Sequence, residues 1–136
     1  MSATRSATST FTPGAKRALN GEHVFNMAKV NHLQGGPDYS SAQGAVVEGD
    51  KIIVGFMRMA KGSGAEAHSH PNEQWVYVIQ GAIEATVNGK TVQAKTGDVL
   101  YFPSNAVHST KVLGNEDCVF FTCKDATHSL QGIKVK

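Results

Sequence analysis

From Val24 onward the apolar residues come in short runs divided by Gly, Pro, Asn and Asp, and no stretch sustains helical spacing beyond about two turns. In the run Gln74-Trp75-Val76-Tyr77-Val78-Ile79 alternate residues share a face, so Gln74, Val76 and Val78 fall on one side and Trp75, Tyr77 and Ile79 on the other. The pattern predicts strands near 23–30, 45–47, 52–60, 66–70, 74–80, 82–88, 91–95, 99–102, 106–113 and 118–124. Two reversals punctuate them. Val47-Glu48-Gly49-Asp50-Lys51 reads as a tight turn with Gly49 at positive φ, and Asn88-Gly89 is the strongest short hairpin signal a sequence offers. An all-β chain of many short, evenly spaced strands folds as a sandwich or barrel, and the jelly roll is the variant whose two sheets close over an interior ligand.

Composition narrows this further. A chain of 136 residues is the size of one domain. Residues 1–17 lack periodicity and are rich in Ser, Thr, Ala and Arg, so a flexible tail is expected there, with 18–136 as the single domain. Hydrophobic residues at 40% and charged residues at 18% exclude a disordered or fibrous chain. A net charge of +2 without a basic run argues against nucleic acid as partner. No apolar run approaches the roughly 20 residues a membrane span needs, and 1–13 has no apolar leader segment, so a cytoplasmic protein with no membrane partner is expected. Cys118 and Cys123 lie on opposite faces of one strand about 17 Å apart, which makes them two reduced thiols rather than a disulfide or a shared zinc site.

The chemistry concentrates in the histidines. His68-Ser69-His70 sets two imidazoles on the same face of a strand, Pro71-Asn72 turns the chain, and Gln74 opens the next strand with its amide able to return to the same interior point. His108 supplies a third imidazole just beyond Phe102-Pro103-Ser104-Asn105. Three imidazoles converging inside an apolar barrel without a metal would be costly polar burial, whereas His23, His32 and His128 read as solvated or structural. Glu73 is the alternative to Gln74 as fourth ligand, although strand parity sends it to the opposite face.

Two spaced motifs carry a family resemblance. The series Gly62, His68, His70, Gln74, Gly81 keeps the intervals of the first cupin motif, with Gln in the usual Glu position. Gly97, Pro103, Asn105, His108 and Val112 follow the second, with Asn105 replacing a Gly and Val112 a non-ligand Asn. The sequence therefore resembles the cupin superfamily of small single-domain metalloproteins, with core motifs at 62–112. The resemblance implies a jelly-roll barrel, a double-stranded β-helix, holding one divalent transition metal on His68, His70, Gln74 and His108; Fe, Ni, Zn, Mn and Cu all suit the donors.

His-Ser-His-Pro-Asn-Glu-Gln with a three-His, one-Gln set is similar to the small cupins of pectin and alginate catabolism. That likeness implies a metal-dependent lyase or isomerase acting on a small hydroxy-carbonyl or uronate-like compound. A quercetinase-like dioxygenase using Fe or Ni and a non-catalytic small-ligand-binding barrel are the alternatives. The last barrel strand departs from the pectin-type pattern, carrying Thr122, Cys123 and Lys124 where those cupins have an acid and an aromatic. Glu66, Arg58 and Tyr101 are the candidate catalytic residues, Glu66 because it shares strand parity with His68 and His70, and Tyr101 because it could line the mouth. Lys124, Asp125 and His128 follow the last strand, where they either close one barrel end or, as the preferred reading, form a surface loop. The stripe Trp75, Tyr77 and Ile79 needs covering, by a subunit interface or by the chain's own N-terminal segment; a homodimer is the expectation, with a small oxygenated organic molecule as substrate.

Overall fold

The computed structural model describes residues 11–135 as twelve β-strands and no helix. They are β1 (Lys16–Arg17), β2 (Leu33–Gln34), β3 (Gln43–Glu48), β4 (Ile52–Met59), β5 (Gly64–Ser69), β6 (Gln74–Gln80), β7 (Ala82–Val87), β8 (Lys90–Lys95), β9 (Val99–Phe102), β10 (His108–Leu113), β11 (Cys118–Asp125) and β12 (Ile133–Lys134). The large sheet runs β1-β3-β4-β11-β6-β9, with β2 also on β3, and the small sheet runs β12-β5-β10-β7-β8. Every pairing among them is antiparallel except β1 on β3. The strand crossings between sheets give the jelly roll that the sequence predicts.

Alternation sets the two faces. In β4, Ile53, Gly55, Met57 and Met59 are buried while Ile52, Phe56 and Arg58 are exposed. Inward-facing Val46, Ile53, Val78, Ile83 and Val112 fill the core between the sheets, each fully buried aliphatic contributing about 1.5–3 kcal/mol of transfer free energy. The β7–β8 hairpin turns on two residues, Asn88 at φ 49° and Gly89 at φ 84°, which is the left-handed pair a tight hairpin needs. Asn105 also adopts the left-handed region, at φ 64°, as expected of a residue standing in for glycine.

Three expectations change. The segment 23–30 forms turns rather than a strand, and Val24 is 92% exposed, so its apolar residues have no sheet to face. Gly49 closes the β3–β4 reversal without a positive φ, its amide donating to Ile52 O at 3.0 Å. Residues 1–10 of the expected tail lie outside the described residues, but 11–17 are packed: Thr12 is buried, its amide donates to Glu48 Oε1, its hydroxyl accepts from Leu130 N, and β1 pairs with β3. Cys118 and Cys123 are free thiols on the single strand β11, as expected.

Candidate metal centre

The small sheet brings the imidazoles together. His68 on β5 is the register partner of His108 on β10, and their ring centroids lie 4.2 Å apart. His70 follows two residues later, just past the end of β5, and all three side chains are buried. Their ligand atoms fall within 4.8 Å of one another. Gln74, at the start of β6, reaches the same point from the large sheet, so the site sits in the seam between the two layers.

Hydrogen bonds fix which nitrogens face inward. Each Nδ1 meets a backbone carbonyl two residues away: His68 on Glu66 O at 2.7 Å, His70 on Asn72 O at 2.9 Å and His108 on Ala106 O at 2.9 Å. A carbonyl only accepts, so each Nδ1 carries the proton and each Nε2 is left with a lone pair. Gln74 is oriented by a second chain of bonds. The Thr122 hydroxyl donates to Trp75 O at 3.0 Å and therefore accepts from Gln74 Nε2 at 2.8 Å, which turns Gln74 Oε1 toward His70 Nε2 at 3.0 Å.

That contact sets two acceptors face to face. A proton between them would have to sit on His70, yet burial first, and then the Lys124 charge, push the His70 imidazole down to about 3. A cation resolves the conflict. Gln74 Oε1 and His70 Nε2, 3.0 Å apart, would both present lone pairs to it. Burial likewise lowers His68 to about 4 and lowers His108, so all three rings are neutral and ready to ligate near neutral pH. The donor set fits a divalent transition metal.

The surroundings are mostly apolar. Phe102 stacks on His108 at 4.3 Å between ring centroids, and Tyr39 lies 4.1 Å from His68 with its hydroxyl accepting from Gly132 N at 2.7 Å. Met57, Leu100, Phe120 and Leu130 join them around a cavity of about 70 Å³.

With this geometry the family follows, because residues 55–123 match the sequence signature of the cupin domain. The chain belongs to the cupin family. This cupin is 26% identical over 86 residues to the tetracenomycin polyketide synthase protein TcmJ of Streptomyces glaucescens, covering 62% of this chain and 58% of that protein. It thus spans less than two thirds of that relative's length. Among solved structures it resembles an RmlC-like cupin from Shewanella frigidimarina (16% identity, TM-score 0.66, covering 78% of this chain and 92% of the other). It also resembles KdgF from Halomonas sp. (20% identity, TM-score 0.65, covering 77% and 94%). Those two likenesses concern the fold.

The structure does not bring the three catalytic candidates to this cavity. Glu66 points outward and pairs with Lys134 Nζ at 2.7 Å. The reason is a bulge: β5 pairs His68 with His108 and Ala65 with Thr110, so two residues of β5 oppose one of β10 and the parity linking Glu66 to His68 is broken. Arg58 lies on the outer face of β4 and donates to Asp117 Oδ2 at 2.9 Å. Tyr101 faces outward on β9, with Trp75 at 4.5 Å and its hydroxyl donating to Glu73 Oε2 at 2.8 Å; the inward neighbour is Phe102. The same outward position keeps Glu73 away from the imidazoles.

One residue was assigned the wrong preferred place and one was missed. Lys124 is no loop residue but the last inward side chain of β11 after Phe120 and Thr122, 5% exposed, lining the cavity and donating from Nζ to Leu130 O. Burial brings its ammonium down to about 7. The alternation Phe120, Thr122, Lys124 was the available signal. Asn72 is fully buried inside the histidine motif, where Nδ2 donates to Asp125 O, His128 O and Ser129 O and so pins the C-terminal segment over the site. That segment passes so close that a Cβ on Gly132 would lie 2.7 Å from Ser69 O.

Proposed function

We propose that this cupin is a metal-dependent lyase or isomerase acting on a small hydroxy-carbonyl or uronate-like compound in the cytoplasm. One divalent ion, from among Fe, Ni, Zn, Mn and Cu, is held by His68, His70, His108 and Gln74. The observation carrying this reading is the wholly neutral donor set, three Nδ1-protonated imidazoles and an amide oxygen locked by Thr122. When bound, a divalent ion in such a set keeps its full formal charge and supplies Lewis acidity toward a chelated carbonyl or hydroxyl oxygen.

The chain's own residues do the rest. The three carbonyls of Glu66, Asn72 and Ala106 hold the rings in one tautomer, so no proton need be lost from them when a ligand arrives. Phe102, Leu100 and Met57 exclude water from one side of the cavity, which strengthens every charge interaction inside it. Lys124 Nζ holds a proton on the same sheet, two strands from Phe102 and beside Gln74, anchored by Leu130 O. On the outer face, Trp75, Tyr77, Ile79, Val99 and Phe121 are each between 37% and 55% exposed, and we assign this apolar stripe to a homodimer contact; sedimentation as a monomer at micromolar concentration would remove that assignment.

The test is metal content of protein purified without chelator or affinity nickel, beside a His68→Ala/His70→Ala double variant, followed by anaerobic turnover of unsaturated uronates. Near-stoichiometric metal lost in the variant, with turnover that persists without oxygen, is the expected result. Oxygen uptake matched to substrate loss would replace the reading by a dioxygenase. Failure of both proteins to take up any added divalent metal would leave a metal-free binding barrel.

A further inference from the structure

The cavity carries positive charge with no internal counter-charge. Lys124 Nζ has three N–H donors and one acceptor, the Leu130 carbonyl, although its side chain is buried in a wall made largely of apolar groups. Among the described residues no carboxylate lines this cavity. The nearby acids are engaged elsewhere. Asp125 accepts from Glu73 N with one carboxylate oxygen and from Thr127 N and Oγ1 with the other; Glu66 is taken by Lys134 and Glu73 by Tyr101, and the buried Glu48, two strands away, accepts from Thr12 N and lies 3.8 Å from Arg17 Nε. The imidazoles and Gln74 are neutral, so a divalent ion seated among them adds to the imbalance rather than relieving it. A buried ammonium is retained at such cost only where something compensates it, and here the Asp125 charge reaches Lys124 only from outside the cavity, with no carboxylate lining it among the described residues.

We propose that Lys124 makes this cavity a receptor for a small organic acid, its ammonium taking a carboxylate oxygen while a neighbouring oxygen of the same ligand reaches the three-histidine seat. Charge sets the ligand class: a neutral polyol or ketone leaves the ammonium uncompensated, whereas a carboxylate oxygen brings both an acceptor and an opposite charge. Size agrees with the acid end of a molecule. The volume of about 70 Å³ is several times the roughly 10–15 Å³ one water requires, so a carboxylate with its adjacent carbon and oxygen fits inside and a longer chain extends through the mouth. This inference rests on the metal reading above and narrows its substrate to hydroxy or keto acids.

Glycolate and glycolamide test it, since they share a shape and differ in charge. Each is titrated in slightly acidic buffer against the Co(II)-loaded full chain, with the visible Co(II) absorption as readout, for the wild type, Lys124→Gln and Lys124→Met. Lys124→Gln keeps a donor for Leu130 O, and Lys124→Met removes a buried charge without leaving a void. The expected result is that the wild type prefers glycolate over glycolamide, that both variants shrink this preference at least tenfold, and that Co(II) affinity stays level or rises as a like charge disappears. An unchanged preference in both variants overturns the role of Lys124 while leaving the metal centre intact. Loss in Lys124→Met with full retention in Lys124→Gln also overturns it, because the hydrogen bond and not the charge would then matter. If folded wild-type protein takes up no Co(II), the metal reading fails and this inference falls with it.

Discussion

The inner and outer faces of the large sheet are built from the same strands and from similar residues, yet only the inner one reaches the three imidazoles. Along β6 the outer stripe is Trp75, Tyr77 and Ile79 and the inner stripe is Gln74, Val76 and Val78; along β11 the outer stripe is Phe121 and Cys123 and the inner is Phe120, Thr122 and Lys124. Polar groups on the outside, such as Arg58 with Asp117 and Tyr101 with Glu73, find partners at the surface where water competes. Those inside are few, and the bonds that fix Gln74 and the three imidazoles leave Oε1 and each Nε2 with a lone pair toward the cavity. What separates the faces is what each polar group has left over once its hydrogen bonds are made.

Protons give the largest expected contrast. Burial holds His68 at about 4 and His70 at about 3 in the metal-free fold, against about 6.5 in the unfolded chain. Protonation between these values favours the unfolded state, so the stability these two groups contribute is full above pH 6.5 and is lost as pH falls toward about 4 and then 3. Lys124, brought down to about 7 by burial against an ordinary value of 10.5, has the same sign: its contribution is complete above 10.5 and is lost as pH falls through about 7. Urea midpoints of metal-free protein across this range should therefore decline steadily toward acid. A flat profile from pH 7 to 4 would mean that the imidazoles are not buried neutral.

A single inner hydroxyl gives the next effect. Thr122→Val keeps the shape but removes the acceptor that turns Gln74, so metal affinity by chelator competition should fall by about 10- to 100-fold. Stability should fall by about 1 kcal/mol through the lost bonds. Metal affinity within twofold of the wild type would show that Gln74 is placed by something other than Thr122.

How much of this the sequence revealed follows from the range of each interaction. Local rules worked: the Asn88-Gly89 turn, the two faces of β6 and the pairing of His68 with His70 depend on neighbours a few residues away. The jelly roll and the three imidazoles were legible because two spaced motifs carried them. Parity failed for Glu66, since the bulge on β5 arises from its pairing with β10, more than 40 positions later in the chain. In Val99-Leu100-Tyr101-Phe102 every residue is apolar or aromatic, so alternation exists but its inward half cannot be chosen until β9 pairs with β6, setting Tyr101 beside Trp75. Asn72 was opaque because its carbonyl partners stand 53 to 57 residues away. For Lys124 the surface loop was preferred over the barrel end because a charge at a strand end usually marks the surface.

The smallest effect is expected from the outer face, and it sharpens the contrast by being small. Tyr101→Phe deletes the hydroxyl that donates to Glu73 but keeps the ring against Trp75, and both partners of that bond are open to water, which replaces it. Raised by its hydrogen bond to Glu73, the Tyr101 hydroxyl stays protonated throughout the range where the histidines titrate, so its removal alters neither the pH profile nor the charge of the cavity. The thermal midpoint should move by no more than about 2 °C, with metal affinity unchanged. A tenfold loss of metal in this variant would mean that the outer face reaches the imidazoles through Glu73 and the adjoining Gln74, and the separation of the two faces would have to be abandoned.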